Sequence, residues 1–248
     1  RVLGSGANLV VADAGVDGVV VTLDKPAFRN LAIDGQVVTV GAGYDLAKLV
    51  LQTAKAGLAG LESLAGIPAS VGGAIRMNAG GAYGHIGQTV RRVRLMDAAG
   101  QTYDRDRDDL IFAYRRTNIT APFILEVEFE LTLDDPDALV KRVKQIFLYK
   151  RTTQPLAARS AGCAFKNPTP PAEESPQPPA AGAGELIDRA GLKGFRIGGA
   201  EVSHRHANFI VAHDGCTATD IVKLLEHVEK TVRIQHGIQL ERELVVWG

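Results

Sequence analysis

The stretch from Gly57 to Ile86 reads GLAGLESLAGIPASVGGAIRMNAGGAYGHI, and it limits the possible folds of this chain more than any other segment. Glycine costs backbone entropy in helix and strand interiors, so a run this rich in Gly, Ala, Ser and Asn is a poor helix or strand on its own. Such a bare backbone suits close approach by something flat or bulky. Within it, Pro68 is placed at a helix start after Gly66 and Ile67, which leaves the Ser70 hydroxyl and the first-turn N–H groups for a phosphate. Tight helix packing is the competing explanation.

A second glycine-bearing segment is Leu3-Gly4-Ser5-Gly6-Ala7-Asn8-Leu9. Its glycines permit positive φ and let backbone N–H groups reach an anion. It lacks both the GxGxxG fingerprint and the GxxxxGK[ST] loop, so an ordinary tight turn stays open beside a phosphate cradle. Val2-Leu3 reads as a strand end running into this turn, and the first residue is not Met, so an upstream segment is expected.

The bulk properties narrow the function classes. With 248 residues, 46% of them apolar, the chain can bury a core as one large or two smaller domains. Its 28 basic and 28 acidic residues cancel. That is not the footprint of a nucleic-acid binder, so any bound anion must be held locally. Apolar runs such as Leu9–Ala12 fall short of the roughly 18–20 residues that span a bilayer, so a soluble protein is expected. Cys163 and Cys216 form no CxxC pair, which fits a reducing cytoplasm. His204-Arg205-His206 lacks HExxH spacing and a third ligand, so no metal is expected.

Strands are expected at Val19–Leu23, Val37–Val40, Val93–Asp97 and Ile124–Leu133, with a hairpin turn at Asp34-Gly35. A helix capped by Asp45 should run to Ala56 and stop at Gly57. Another should open at Asp135-Pro136, with Leu139, Val140, Val143, Ile146 and Phe147 on its core face. A third, from about Thr219 to His236, should bury Ile221, Leu224, Leu225, Val228 and Val232 and end at Gly237. This mixture predicts an α+β fold. The Pro-rich stretch 169–184 reads as an exposed loop and a candidate lid.

Three more segments carry reactive side chains. Phe112-Ala113-Tyr114-Arg115-Arg116-Thr117 offers a guanidinium for a bidentate carboxylate contact, or simply a surface basic pair. Ser160 to Pro168 (SAGCAFKNP) places a thiol just after a glycine, with an amide at Asn167; a small buried filler is the plain alternative for Cys163. In Leu240–Val245, alternation sends Glu241 and Glu243 to one face and Leu240, Arg242 and Leu244 to the other.

In this order, GSGANLV, GLESLAGIPASVGGAIRMNAGGAYG, AYRRT, SAGCAFKNP, GLKGFRIGGAEVSHRHANFIV and LERELVVWG resemble the UDP-N-acetylenolpyruvoylglucosamine reductases over almost the whole chain. The resemblance implies an FAD-binding domain of the vanillyl-alcohol-oxidase-like (PCMH) type over 1–150, a C-terminal α/β substrate-binding domain over 151–235, and a returning C-terminal strand over 236–248. It implies FAD as cofactor and NADPH as reductant. Gly4, Ser5, Gly6 and Asn8 would hold the cofactor diphosphate; Leu9, Gly66, Ile67, Pro68, Ser70, Val71, Gly72, Gly73 and Asn78 would line the cofactor. Arg115, Cys163 and Glu243 would be catalytic, with Cys163 where the family has a serine. Tyr114, Arg115 and Asn167 would contact a UDP-sugar enolpyruvyl ether.

The sequence departs from the family pattern in places. NAGGAYG carries one glycine more than the commoner form, Glu185 stands where a basic or bulky residue is usual, and no tyrosine-bearing substrate loop is visible. Another FAD-dependent oxidoreductase on the same fold and a non-catalytic UDP-sugar sensor are the alternatives, since fold does not fix function.

Overall fold

The computed structural model describes residues 1–168 and 181–248, so the lid expected at 169–184 lies for the most part outside the described residues. The chain divides into two compact units. The first comprises Arg1–Ser5 with Gly18–Lys150; the second comprises Gly6–Asp17 with Arg151–Gly248. Gly6–Asp17, which the sequence places in the first region, thus clusters with the second unit.

The first unit is built on a five-stranded antiparallel sheet. Its spatial order is Thr102–Asp106, Val90–Met96, Phe123–Glu130, Val37–Gly41 and Leu31–Asp34. Two-residue alternation sorts its faces. Val38, Val40, Val93, Leu95, Val127 and Phe129 point into the core, while Arg92 pairs with Glu128, and Arg94 with Asp104 and Glu126, on the other face. The expected hairpin joins the last two strands of this order: Asp34 is opposite Val37, and Gly35 takes a φ of +57°.

Helix α1 (Leu46–Lys55) covers the core face. Asp45 caps it by accepting from the Lys48 N–H at 2.8 Å, and Gly57 leaves it with a φ of +71°. Helix α2 (Val71–Arg76) follows, capped by Ser70. The sequence set a helix start at Pro68; the first helical residue is Val71, because the Ser70 side chain caps the turn and Pro68 stays exposed ahead of it. Helix α3 (Pro136–Thr153) buries Leu139, Ile146 and Lys150, with Val143 partly buried. Phe147, expected on the core face, is 44% exposed. The inward stripe continues from Ile146 to Lys150, one turn on.

The strand expected at Val19–Leu23 is shorter than its apolar run. Only Val21–Thr22 pair, in parallel with Val2–Leu3, and Val19 and Val20 are exposed. The NAGGAYG glycines form a tight hairpin, Gly80 opposite His85 and Gly81 opposite Gly84. A Cβ on Gly80 would sit 2.4 Å from the Gly84 carbonyl oxygen, so the hairpin needs glycine there.

The second unit holds a three-stranded antiparallel sheet of Arg196–Ile197, Ala200–Val202 and Ile210–Ala212. Helix α4 (Ala183–Arg189) and helix α5 (Ala218–His236) bury Leu186, Ile187, Leu224, Leu225, Val228 and Val232 in its core. Ala183 and Gly184 are therefore helical, a correction to the loop expected through 184. Thr217 and Asp220 form a reciprocal capping box at the start of α5, and Gly237 ends it in the left-handed conformation. Leu9–Val11 pairs in parallel with Val245–Trp247. No helix among the described residues is long and apolar enough to cross a membrane.

Candidate functional site

In the first unit the two glycine-bearing segments meet. A Cβ on Gly4 would lie 2.5 Å from Ser70 Oγ, one on Gly43 1.8 Å from the Leu23 carbonyl oxygen, and one on Gly72 2.9 Å from the Ala42 Cβ. Gly4, Ser5, Ser70, Gly72 and Gly73 share a cavity of about 660 Å³ with Thr22, Gly43, Arg29 and Arg76. That volume is in the range of small-molecule and cofactor pockets. Backbone, hydroxyls and guanidinium groups in one wall suit an anionic dinucleotide, so these residues fit FAD.

The first-turn N–H groups of α2 are not available to a phosphate as the sequence suggested. The Val71 N–H donates to the Tyr44 carbonyl, that of Gly72 to the Ala42 carbonyl at 2.8 Å, and that of Gly73 to Ser70 Oγ at 3.3 Å. Gly72 answers the tight-packing alternative: it lets α2 press onto Ala42. Val71 is fully buried in the core. Gly66 faces α3, where a Cβ would come within 3.2 Å of Lys150 Cδ, and Ile67 packs on the core. Arg76, which the sequence did not single out, donates to the Ile119, Ala121 and Pro122 carbonyls and fastens the strand that follows.

Asn78 does not face the cavity. It is 2% exposed, and its amide is spent within the unit, on the Ala113 carbonyl, the Gly87 N–H and His85 Nδ1. Tyr114 and Arg115 form the turn of a short hairpin in which Ala113 is opposite Arg116. The Arg115 guanidinium lies 5.2 Å from the Tyr114 ring centre. Lys150 donates to the Ser63 carbonyl at 3.1 Å and the Ala65 carbonyl at 2.7 Å. Burial pulls its ammonium down to about 8, and the charge of Arg115 adds to the effect.

In the second unit three of the singled-out segments run together. The Glu243 N–H donates to the Ala164 carbonyl at 2.8 Å, the Lys166 N–H to the Glu241 carbonyl, and Phe165 bridges Arg242. Asn8 Nδ2 donates to the Glu243 carbonyl at 2.9 Å, and the Val245 N–H donates to the Asn8 carbonyl. Cys163 and Glu243 are thereby held on adjoining extended segments, with Asn8 and Leu9 beside them. Leu240 and Leu244 are buried while Glu241 is exposed on Lys166, the alternation expected. Asn167 accepts from the Ala183 N–H at 3.0 Å and steadies the start of α4.

A second cavity, of about 410 Å³, is walled by Gly6, Leu9, Ser160, Gly162, Cys216 and Leu244. Ser160 Oγ is buried without a hydrogen-bond partner among the described residues. Burial and then Asp220 push the Cys216 thiol up. His204 and His206 serve different neighbours: His204 lies 3.6 Å from Glu201, and His206 Nδ1 accepts from the Asn208 N–H.

Residues 154–247 match the family described as UDP-N-acetylenolpyruvoylglucosamine reductase, C-terminal domain, and residues 1–105 match an FAD binding domain. The UDP-N-acetylenolpyruvoylglucosamine reductase of Desulfosudis oleivorans is 40% identical over 262 residues, which span all of this chain and 80% of that protein. The chain belongs to the UDP-N-acetylenolpyruvoylglucosamine reductase family. The Bacillus subtilis member is 36% identical across the whole chain and 79% of its own length. A crystal structure of the reductase from Thermus caldophilus aligns with a TM-score of 0.83 at 35% identity, covering 100% of this chain and 85% of that one. The α+β class and the FAD-binding half expected from the sequence both hold.

Proposed function

We propose that this chain reduces UDP-N-acetylglucosamine enolpyruvate to UDP-N-acetylmuramate, a step of peptidoglycan precursor synthesis, in the cytoplasm of a dividing cell. The observation that carries the reading is the adjoining of Cys163 and Glu243, held by the 2.8 Å bond from the Glu243 N–H to the Ala164 carbonyl. Family membership supplies the substrate class. The division of labour is cofactor binding in the 1–150 region, sugar binding in 151–235, and return of Glu243 by the last residues.

FAD, when bound, supplies a hydride that NADPH has delivered. Gly4, Ser5, Ser70, Gly72 and Gly73 would hold the cofactor in the first-unit cavity they line, and the resemblance assigns Gly6, Asn8 and Leu9 to the cofactor as well. Arg115 holds the enolpyruvyl carboxylate through its planar guanidinium, with Tyr114 beside it. Hydride addition at the terminal methylene carbon leaves negative charge delocalised toward that carboxylate. Arg115 stabilises this charge, and a Glu243 carboxyl that carries a proton would donate to the same oxygens. Such preorganised donors are worth roughly 3–4 kcal/mol each. Cys163 then delivers its proton to the carbon bearing the ether oxygen, which completes addition of H⁻ and H⁺ across the double bond. Asn167 steadies the sugar-side wall next to Cys163.

The test is anaerobic titration of the FAD-loaded protein with NADPH, followed by the enolpyruvyl sugar, while the flavin absorbance is recorded. Reoxidation with formation of UDP-N-acetylmuramate is expected. Flavin that NADPH reduces and this sugar never reoxidises would assign the chain another substrate.

A further inference from the structure

Among the described residues, the non-glycine residues with left-handed backbone are Asn78 (φ +43°) and Arg115 (φ +53°). L-residues other than glycine resist this region, and such strain gathers where geometry serves a function. One hydrogen bond joins the two segments: Asn78 Nδ2 donates to the Ala113 carbonyl at 2.8 Å, two residues before Arg115.

The clamp is built from both sides. Asn78 Oδ1 accepts from the Gly87 N–H at 3.1 Å and lies 2.9 Å from His85 Nδ1, which must carry its proton to face a carbonyl oxygen. The amide is therefore held by the 85–87 segment, and its NH₂ can only point at Ala113. The Phe112 ring occupies the place where a Gly87 side chain would begin, 2.2 Å from that position. Strand Phe112–Ala113 is thus pinned to the Asn78–Gln88 segment by an amide at one residue and a ring at the next. The Tyr114-Arg115 turn projects from this pinned strand.

We propose that Asn78 is a positioning residue for Arg115, setting where the guanidinium meets the substrate carboxylate, and not a contact to the cofactor. The inference rests on the reading of Arg115 given above. A fixed guanidinium is worth more to a developing carboxylate charge than a mobile one, because its orientation is settled before the reaction.

The experiment uses the full FAD-loaded chain with three variants. Asn78→Asp keeps the acceptor for Gly87 and loses the donor to Ala113. Asn78→Gly keeps the left-handed backbone without any amide, and so serves if the aspartate variant fails to fold. Arg115→Ala provides the background for a double-mutant cycle.

Flavin content, flavin reduction by NADPH and calorimetric binding of the enolpyruvyl sugar are measured beside sugar-driven reoxidation. The expected result is flavin content and NADPH reduction within about 2-fold of the parent, with sugar binding and reoxidation each weakened about 10-fold or more. On the Arg115→Ala background, the Asn78 change should add little. Loss of FAD with sugar binding intact would make Asn78 a cofactor contact and overturn the proposal. Additive losses in the cycle would overturn it while leaving the role of Arg115 standing. Unimpaired turnover in Arg115→Ala would remove that role and the proposal together.

Discussion

Lys150 allows a quantitative test of how the first unit is packed. It continues the inward stripe of α3 after Leu139, Val143 and Ile146, yet it carries an ammonium at a position 8% exposed. Its pKa falls from 10.5 to about 8, mainly through burial, with Arg115 contributing. Between those values the unfolded chain holds a proton that the folded chain has released, so folding stability rises with pH across that window. The interval corresponds to about 3 kcal/mol. Lys150→Met removes the titrating group and keeps a flexible chain of similar reach against Gly66. Urea unfolding of both proteins from about pH 7.5 to about pH 10.5 should show wild type gaining about 3 kcal/mol relative to the variant. Other titrating groups are common to both proteins and cancel in the difference. Parallel stability curves would refute the claim that burial disfavours the charged form of Lys150.

Cys163→Ser should keep appreciable sugar reduction, whereas Cys163→Ala should keep flavin reduction by NADPH and lose sugar turnover; stopped-flow absorbance separates the two half-reactions. Gly43→Ala drives a methyl into the Leu23 main-chain carbonyl, which no rotamer change relieves. It should cost about 1–3 kcal/mol and lower FAD retention on gel filtration. Thr217→Ala removes the cap of α5 and should cost about 1 kcal/mol in urea unfolding.

Local signals were read well because their causes are local. Asp45 and Gly57 bracket α1, Gly237 stops α5, and the alternation through Leu240–Leu244 puts its leucines inside, each decided by residues within a turn or two. The start of α5 differs by one residue from the sequence estimate, as helix ends often do. What escaped the sequence depends on distant partners. The α2 N–H groups are consumed by carbonyls of Ala42 and Tyr44, which no pattern near Ser70 announces. Lys150 is buried because carbonyls at Ser63 and Ala65 receive it, while periodicity alone favoured Phe147. Asn78 sits in a glycine-rich stretch that reads as a cofactor wall, and nothing near it in sequence announces its partners at Gly87 and Ala113.

The parallel pairing of Leu9–Val11 with Val245–Trp247 also sets a timetable for folding. Asn8 and Glu243, joined by a hydrogen bond, are separated by 235 residues. At about 5–20 residues per second on a ribosome, the early strand waits on the order of ten seconds or more for its partner to be made. Throughout that interval Val10 has no finished core to enter. The second unit therefore cannot close until Val245–Trp247 have been made, and a fragment beginning at Arg151 would lack a strand that its own core requires.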